Sequence, residues 1–167
     1  ENITPAADYE AAKNAGQNIH DYLSALANQK EPGESGVLAL DWWNGNRSVL
    51  VDGKLSGMLI GCTLQTKTED IYRALIEATA FGTRKIVETF EQNDVPVDEI
   101  IIAGGIAQKN PFAMQVYADI TGKEIKVAGS KQNAALSSSI WAALAAGSEN
   151  GGFDTLEEAV ARLSNVQ

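Results

Sequence analysis

The sequence predicts an α/β protein, and three stretches of the chain indicate that fold class. Residues 99–146 alternate short apolar runs with helical patterns in the order strand, helix, strand, helix. Residues 68–93 carry one long amphipathic helical pattern, and residues 37–64 contain short runs rich in Val, Leu and Ile. Strands that are continuous apolar runs and alternate with helices are typical of a layered fold in which helices pack on a sheet.

Residues 1–35 are expected to form a helical segment and a loop of the same domain that continues over residues 36–167. A helical pattern covers residues 8–29, with a break expected at Gly16, and places His20 at or near its surface. The polar stretch NQKEPGESG then predicts a loop through its Pro and Gly content. The chain does not begin with Met and stops within the helical pattern EEAVARLSNVQ, so we expect the domain to be incomplete at both ends.

The next part of the chain, residues 37–64, is expected to be extended. The runs VLALDWW, SVLVDG and GMLIGCTL predict β structure, with a turn at NGNR and a hairpin signal at Asp52-Gly53. Adjacent Trp side chains in a strand point to opposite faces, so one of the pair is expected in the core and the other partly exposed. Cys62 is expected to be a core thiol because its neighbours are apolar.

The clearest helix is predicted over residues 68–93. Its apolar residues recur at steps of three and four and should form one buried stripe. These residues are Ile71, Leu75, Ala78, Phe81, Gly82, Ile86 and Phe90. The helix can begin with Thr66 and Glu69 as a capping box, or with Thr68 as a cap, and it should end before Pro96. Its charged residues are expected on a solvated face; they are Glu69, Asp70, Arg73, Glu77 and Arg84.

After Pro96 the chain is predicted to alternate strands and helices. The run IIIAGG indicates a strand covered on both faces, and EIKVAG indicates the next strand. Between them a helix is expected to begin at Asn110 or Pro111 and to end near Ile120. A last helix is expected over residues 133–146, rich in Ala and ended by Gly147.

Composition argues against several classes of function. The chain has 13 basic and 22 acidic residues and a net charge of −9, which is the wrong sign for a nucleic-acid or anionic-membrane surface. No apolar run approaches the roughly 20 residues that span a bilayer, and no signal segment opens the chain, so we expect a cytoplasmic protein. One Cys and one His permit neither an internal disulfide nor a Cys/His zinc site, and no metal site is expected.

The candidate functional element is the stretch AGGIAQKNPF, residues 103–112. Without Cβ atoms, Gly104 and Gly105 allow positive φ and let a phosphate or a flat ligand approach the backbone. A following helix N-terminus would offer free amides, and Asn110 could cap that helix or present a donor and an acceptor to a purine. These residues alone leave a structural turn and a nucleotide-binding turn equally open. Neither a P-loop nor a Gly-x-Gly-x-x-Gly motif is present.

Two longer stretches carry a family resemblance. The sequences LALDWWNGNRS and QTKTEDIYRALIEATAFGTR, residues 38–48 and 65–84, resemble the C-terminal domain of the FGGY carbohydrate kinases, in particular the members that phosphorylate L-ribulose. The similarity runs from about Tyr9 to the C-terminus. It implies a ribonuclease-H-like (actin-like ATPase) domain with a mixed sheet flanked by helices. It also implies two domains around a cleft, with the sugar held mainly by the first and ATP by the second.

The resemblance assigns roles to individual residues. Gly104 and Gly105 would let the nucleotide lie against the backbone, and Asn110 would sit beside the adenine. Gly61 and Thr63 belong to the family's second signature region, where shaping the cleft floor and a purely structural role are equally open. Mg²⁺ would be held mainly through the phosphates and the missing first domain.

The resemblance also implies what this chain lacks. The family's general-base Asp belongs to the N-terminal kinase domain, so no catalytic residue is expected here and the chain alone should not catalyse. Trp43, Asn46 and Arg47 are candidates for a domain contact or the sugar cleft, against a plain strand and turn. Self-association through surfaces that the first domain would cover is expected. Two alternatives remain: another FGGY kinase, acting on xylulose or glycerol, and a non-catalytic interaction module with the same fold.

Overall fold

The computed structural model describes residues 4–164, in which helices and strands follow one another in mixed order. The helices are α1 (Ala6–Asn14), α2 (Ile19–Ala27), α3 (Thr68–Glu91), α4 (Gly105–Lys109), α5 (Pro111–Thr121), α6 (Asn133–Ala146) and α7 (Leu156–Leu163). The strands are β1 (Leu38–Leu40), β2 (Met58–Ile60), β3 (Glu99–Ile102) and β4 (Glu124–Val127). Within residues 4–164, every helix is too short or too polar to cross a bilayer.

The described residues divide into two units. The first comprises residues 4–97 and 112–123, and the second comprises residues 98–111 and 124–164. In the first unit β1 and β2 form an antiparallel pair with Leu38 opposite Ile60. In the second unit β3 and β4 form a parallel pair with Glu99 opposite Glu124. The parallel pair, separated in sequence by helices, confirms the predicted α/β class.

Small side chains on α3 form the core of the first unit. Ala80 of α3 is fully buried and packs with Ala27 of α2 and with Phe112 and Val116 of α5. A second cluster joins α1 to α2 through Ala12, Ile19 and Leu23. Because α3 also contacts β1, more than one of its faces is covered.

That multiple coverage changes which residues of α3 are buried. Phe81 and Phe90 of the predicted stripe are 52% and 51% exposed, whereas Ala74 and Val87 outside the stripe are buried. The prediction of one buried stripe is therefore only partly right. A periodicity argument assumes a single covered face, and α3 has neighbours on several sides.

Two of the charged residues expected on a solvated face of α3 are buried, namely Asp70 and Arg73. The Arg73 guanidinium donates from Nη1 to the main-chain oxygens of Ala27 (2.9 Å) and Lys30 (2.8 Å), and from Nε to Glu77 Oε1 (2.7 Å). These bonds attach α3 to Ala27 at the end of α2 and to Lys30 in the loop beyond it. The burial of Arg73 is thus explained by a structural task on a neighbouring helix.

The start of α3 is fixed by Asp70. Lys67 is the N-cap, and its N–H donates to Asp70 Oδ2 at 2.9 Å, while the Lys30 ammonium lies 3.1 Å from Asp70 Oδ1. Burial opposes the charge on this carboxyl, but the Lys67 N–H and the Lys30 ammonium outweigh it and lower the pKa of Asp70. The predicted starting turn is confirmed, but both predicted caps, Thr66 with Glu69 and Thr68, are wrong by one position.

The segment between β1 and β2 is a closed loop rather than the expected strand and hairpin. Asn46 and Asp52 exchange two main-chain hydrogen bonds of 2.9 Å, and Asn46 Oδ1 accepts from the N–H of Leu50 at 3.0 Å. Val51 has φ 53° and is 80% exposed, so it cannot continue a strand. The hairpin predicted at Asp52-Gly53 is wrong, because residues 46–52 close on themselves through the Asn46–Asp52 bridge and the bond from Leu50 to the Asn46 side chain.

Four further predictions concern helix boundaries, and they are confirmed. The break at Gly16 separates α1 from α2, and Gly16 has φ 68°. α5 begins at Pro111, α6 covers Asn133–Ala146, and Gly147 ends α6 with φ 73°.

His20 is exposed on α2, as expected. The C-terminal helical pattern contains α7, and its last three residues lie outside the described part of the chain.

Three burial predictions are wrong. Cys62 is exposed: it lies two residues beyond the end of β2 at Ile60, in a segment where Leu64 is also fully exposed. Neither Trp lies in a strand, and the expected core Trp is wrong because Trp42 is only half-buried, whereas Trp43 is 62% exposed, as expected for the other member of the pair. Ile101 in the centre of β3 is 52% exposed, although an apolar run predicts cover on both faces.

Candidate nucleotide-binding site

The turn after β3 is built on Gly104. This residue has φ 110° and ψ 173°, a conformation that side chains make unfavourable and that glycine adopts freely. It stands at the N-cap of α4, so the chain leaves the strand and enters a five-residue helix at once. The sequence did not predict α4; the helix predicted from Asn110 or Pro111 is α5, which begins at Pro111.

The space above both glycines is open. A Cβ atom at Gly104 or at Gly105 would meet no other atom within 4 Å. At Gly105 the backbone is also outside the left-handed region, so neither conformation nor packing within the described residues demands a glycine there. A bare, accessible backbone at this position is what a ligand lying flat against the chain requires.

Asn110 lies in the same unit, at the junction of α4 and α5. It is half-buried, closes α4 as its C-cap with φ −126° and ψ 79°, and its N–H donates to the Ile106 carbonyl at 2.9 Å. The structure therefore brings Gly104, Gly105 and Asn110 into one short segment around α4. Asn110 is the C-cap of α4 and directly precedes Pro111, the first residue of α5.

One residue of this segment, Gln108, was not expected from the sequence. Its side-chain Nε2 donates to the main-chain oxygens of Ala128 (3.3 Å) and Ser130 (3.0 Å), which follow β4. The sequence signal that points to it is a long amide side chain placed within the first turn after the Gly pair. Such a side chain can reach the loop of the neighbouring parallel strand.

The electrostatics of this region are compatible with an anion despite the acidic chain. Lys109 ends α4 and Lys131 follows β4, and both are exposed. Neither ammonium forms an ion pair with a carboxylate of residues 4–164. No three His, Cys, Asp or Glu side chains in that range cluster closely enough to hold a metal ion.

Gly61 and Thr63 belong to the first unit, and both have structural tasks there. Gly61 has φ 84°, and a Cβ atom at this position would overlap the carbonyl oxygen of Gly36. Thr63 forms the turn before α3: its N–H donates to Thr66 Oγ1 at 2.8 Å, and its own Oγ1 accepts from the N–H of Gln65 at 3.2 Å. These contacts account for both residues without a ligand.

Trp43, Asn46 and Arg47 also lie in the first unit. The indole of Trp43 lies against Gly57, where a Cβ atom would come within 2.5 Å of the ring. Asn46 closes the loop between β1 and β2 through the bonds described above. Arg47 is exposed at an apolar cavity of about 260 Å³ whose wall includes Ile86 and Phe90 of α3. Contacts within residues 4–164 thus explain Trp43 and Asn46.

Comparisons with known proteins agree on one family. Residues 5–146 match the C-terminal domain of the FGGY family of carbohydrate kinases. The whole chain is 58% identical to the ribulokinase of Bacillus licheniformis and covers 30% of it. Over 97% of its length the chain is 57% identical to the ribulokinase of Halalkalibacterium halodurans, of which it covers 29%. The chain therefore spans less than a third of the length of these relatives.

Solved structures support the same fold. Xylulose kinase from Rhodospirillum rubrum matches 96% of this chain with a TM-score of 0.75 at 22% identity, and 31% of that protein is covered. The glycerol kinase of Plasmodium falciparum, solved with ADP, matches 96% of this chain with a TM-score of 0.70 at 23% identity, and 32% of it is covered. The actin-like fold of these kinases is thus the fold of this chain, as the sequence resemblance implies.

Proposed function

The chain belongs to the FGGY family of carbohydrate kinases, and we propose that it is the ATP-binding part of a kinase that converts ATP and L-ribulose to ADP and L-ribulose 5-phosphate. This reaction is a step of arabinose catabolism, and we expect it to take place in the cytoplasm. Identity of 53–58% to four ribulokinases, over nearly the whole chain, supports L-ribulose as the sugar. The xylulose and glycerol kinases among the structural matches share only 17–23% identity and are the less favoured alternatives.

The single observation that supports the nucleotide role is the open Gly104–Gly105 turn. At Gly105 an ordinary side chain would fit the fold, so the glycine has no explanation within the described residues. A nucleotide lying along this backbone would supply one, because a Cβ atom would then occupy the ligand's place. Asn110, at the other end of α4, offers an amide that can donate to and accept from a purine edge.

The part of the reaction assigned to this chain is binding and orientation. Phosphoryl transfer depends mainly on positioning the nucleotide and on stabilising charge from several directions. Gly104, Gly105 and Asn110 would hold the nucleotide, while the general base and the sugar contacts would come from the N-terminal kinase domain. Magnesium would be held by the phosphates and by that domain. We expect this chain alone to bind ATP weakly and to transfer no phosphate.

Domain exchange tests the proposal. This chain would replace the matching 30% of the Bacillus licheniformis ribulokinase, to which it is 58% identical. We expect the hybrid to phosphorylate L-ribulose with ATP, and the same hybrid carrying Gly105→Asp to lose at least about 100-fold in kcat/KM for ATP, because a carboxylate would enter the pocket. The host without its C-terminal part is the negative control. A folded hybrid without activity, or one indifferent to Gly105→Asp, would contradict the proposal.

A further inference from the structure

The helix that carries the candidate nucleotide turn is weakly anchored. α4 has five residues, too few to be stable without tertiary contacts. Of these residues Ala107 is buried, whereas Ile106 is 75% exposed. The position of α4, and of the Gly104–Gly105 turn at its start, must therefore be fixed by contacts beyond its own short backbone.

The side chain of Gln108 makes such a contact. Its Nε2 carries two N–H donors, and the two carbonyl oxygens that accept from it belong to Ala128 and Ser130. These carbonyls lie directly after β4, just as the Gly pair lies directly after β3. Because β3 and β4 are parallel neighbours, both segments leave the same edge of the pair, and Gln108 bridges them.

The carbonyl side of this bridge is itself held in place. The oxygen of Ser130 also accepts from Asn133 Nδ2 at 2.8 Å, at the start of α6. The N–H of Ala128 donates to the carbonyl of Ile102 at 3.0 Å and so continues the β3–β4 pairing by one bond. Hydrogen bonds thus hold the segment after β4 in place, and the Gln108 side chain connects α4 to that segment.

We propose that Gln108 is a positioning residue for the nucleotide, which it holds in place indirectly by fixing the Gly104–Gly105 turn against the segment after β4. This inference rests on the proposed function, since it concerns the same site. Without the bridge, α4 would sample several positions, and only a fraction of molecules would present the turn correctly. The apparent affinity for the nucleotide falls in proportion to that fraction.

The test compares two glutamines that occupy helices. Gln108→Met keeps the approximate length and the helix propensity of the side chain and removes its amide, and with it both N–H donors. Gln115→Met is the matched control, because Gln115 lies exposed on α5 and donates to Asp119 Oδ1 at 2.7 Å. Each protein would be titrated calorimetrically with ATP and magnesium, with its thermal midpoint and backbone amide exchange measured in parallel.

We expect Gln108→Met to bind ATP about three- to tenfold more weakly than the unsubstituted chain, as the loss of one or two hydrogen bonds implies. Amides of residues 104–108 and 128–132 should exchange faster, while the thermal midpoint stays close to that of Gln115→Met. Equal affinity of Gln108→Met and the unsubstituted chain would overturn the inference and leave the proposed function standing. Failure of the folded, unsubstituted chain to bind ATP would overturn both.

A general loss of stability in Gln108→Met would call for Gln108→Lys. Lysine keeps a long side chain with N–H donors that can reach the two carbonyls. Recovery of ATP affinity in Gln108→Lys would support positioning. Recovery of the thermal midpoint without recovery of affinity would overturn it.

Discussion

At the scale of single residues, Arg73 connects α3 to α2 and to the loop that follows α2. It is buried on α3, and its guanidinium donates to the carbonyls of Ala27 at the end of α2 and of Lys30 in the following loop, and to the carboxylate of Glu77. Lysine cannot reproduce this planar set of donors. We expect Arg73→Lys to lower the free energy of unfolding by about 2–4 kcal/mol, because buried acceptors would lose their partners.

Urea denaturation followed by circular dichroism measures this change. Arg84→Lys is the control, because Arg84 lies on the same helix with 52% of its side chain exposed and pairs with Glu88. It should shift the unfolding free energy by less than about 0.5 kcal/mol. Equal shifts for the two variants would show that the buried contacts of Arg73 are not what holds α2 to α3.

Gly61 offers a second test at the residue scale, because the sequence left its role open. Gly61→Ala combines a left-handed φ with an overlap between Cβ and the Gly36 carbonyl, whereas Gly16→Ala has a similar φ and open space. We expect a loss of unfolding free energy above about 3 kcal/mol for Gly61→Ala and about 1 kcal/mol for Gly16→Ala. Thermal denaturation of both variants measures the difference. Similar losses would argue against a packing role for Gly61.

At the scale of elements, the start of α3 predicts how stability depends on pH. The pKa of Asp70 is lowered in the folded chain, so its contribution is fully present above the unfolded value of about 3.9 and is lost as the pH falls through the folded value. Asp70→Asn should therefore cost about 1–2 kcal/mol at pH 7. The difference between the unsubstituted chain and Asp70→Asn should shrink as the pH approaches 3.

Urea denaturation at pH 7, 5 and 3 follows this difference. Asp119→Asn serves as the control, because Asp119 is exposed on α5 and its substitution should change stability little at any of these pH values. A difference for Asp70→Asn that stays constant from pH 7 to pH 3 would contradict the role of its ionised carboxylate at the N-cap of α3.

Helix boundaries in this chain can be predicted from the local sequence, whereas the burial of individual side chains cannot. Gly16, Pro111 and Gly147 end or begin helices through their own backbone preferences, so the sequence alone predicts them. The burial of Asp70 and Arg73 depends on where α2 ends in space, and the hydrophobic periodicity of α3 gives no information on that position. The closed loop at Asn46 likewise depends on a side-chain bond that competes with strand pairing.

In the candidate site, too, one feature can be predicted from the sequence and another cannot. The Gly pair is visible in the sequence because glycine reports on the backbone at its own position. Gln108 is not, because its significance lies in two carbonyls that are 20 and 22 residues away along the chain. The family resemblance led to the hypothesis that the Gly pair binds a nucleotide, and the open space at Gly105 offers a physical reason for it.

At the scale of the whole molecule, the chain exposes apolar side chains in both units. Leu38, Met58 and Ile60 of the β1–β2 pair are 57%, 46% and 48% exposed, and Trp141 of α6 is 62% exposed. The chain also spans only about 30% of its ribulokinase relatives. We expect it to self-associate at high micromolar concentration, because exposed apolar surface of this kind is favourably buried between molecules. Size-exclusion chromatography with light scattering tests this, and a sharp monomer at all concentrations would contradict it.

The most direct test of the central claim is a calorimetric titration of the chain with ATP and magnesium, alongside Gly105→Ala and Gly82→Ala. Both glycines lie in helices with open space around them, so alanine should fit the fold at either position. The account predicts binding of roughly −4 to −6 kcal/mol for the unsubstituted chain and for Gly82→Ala. It predicts at least about tenfold weaker binding for Gly105→Ala, with no loss of thermal stability. Equal binding by all three proteins, or none by the folded unsubstituted chain, would contradict the assignment of the Gly104–Gly105 turn to the nucleotide.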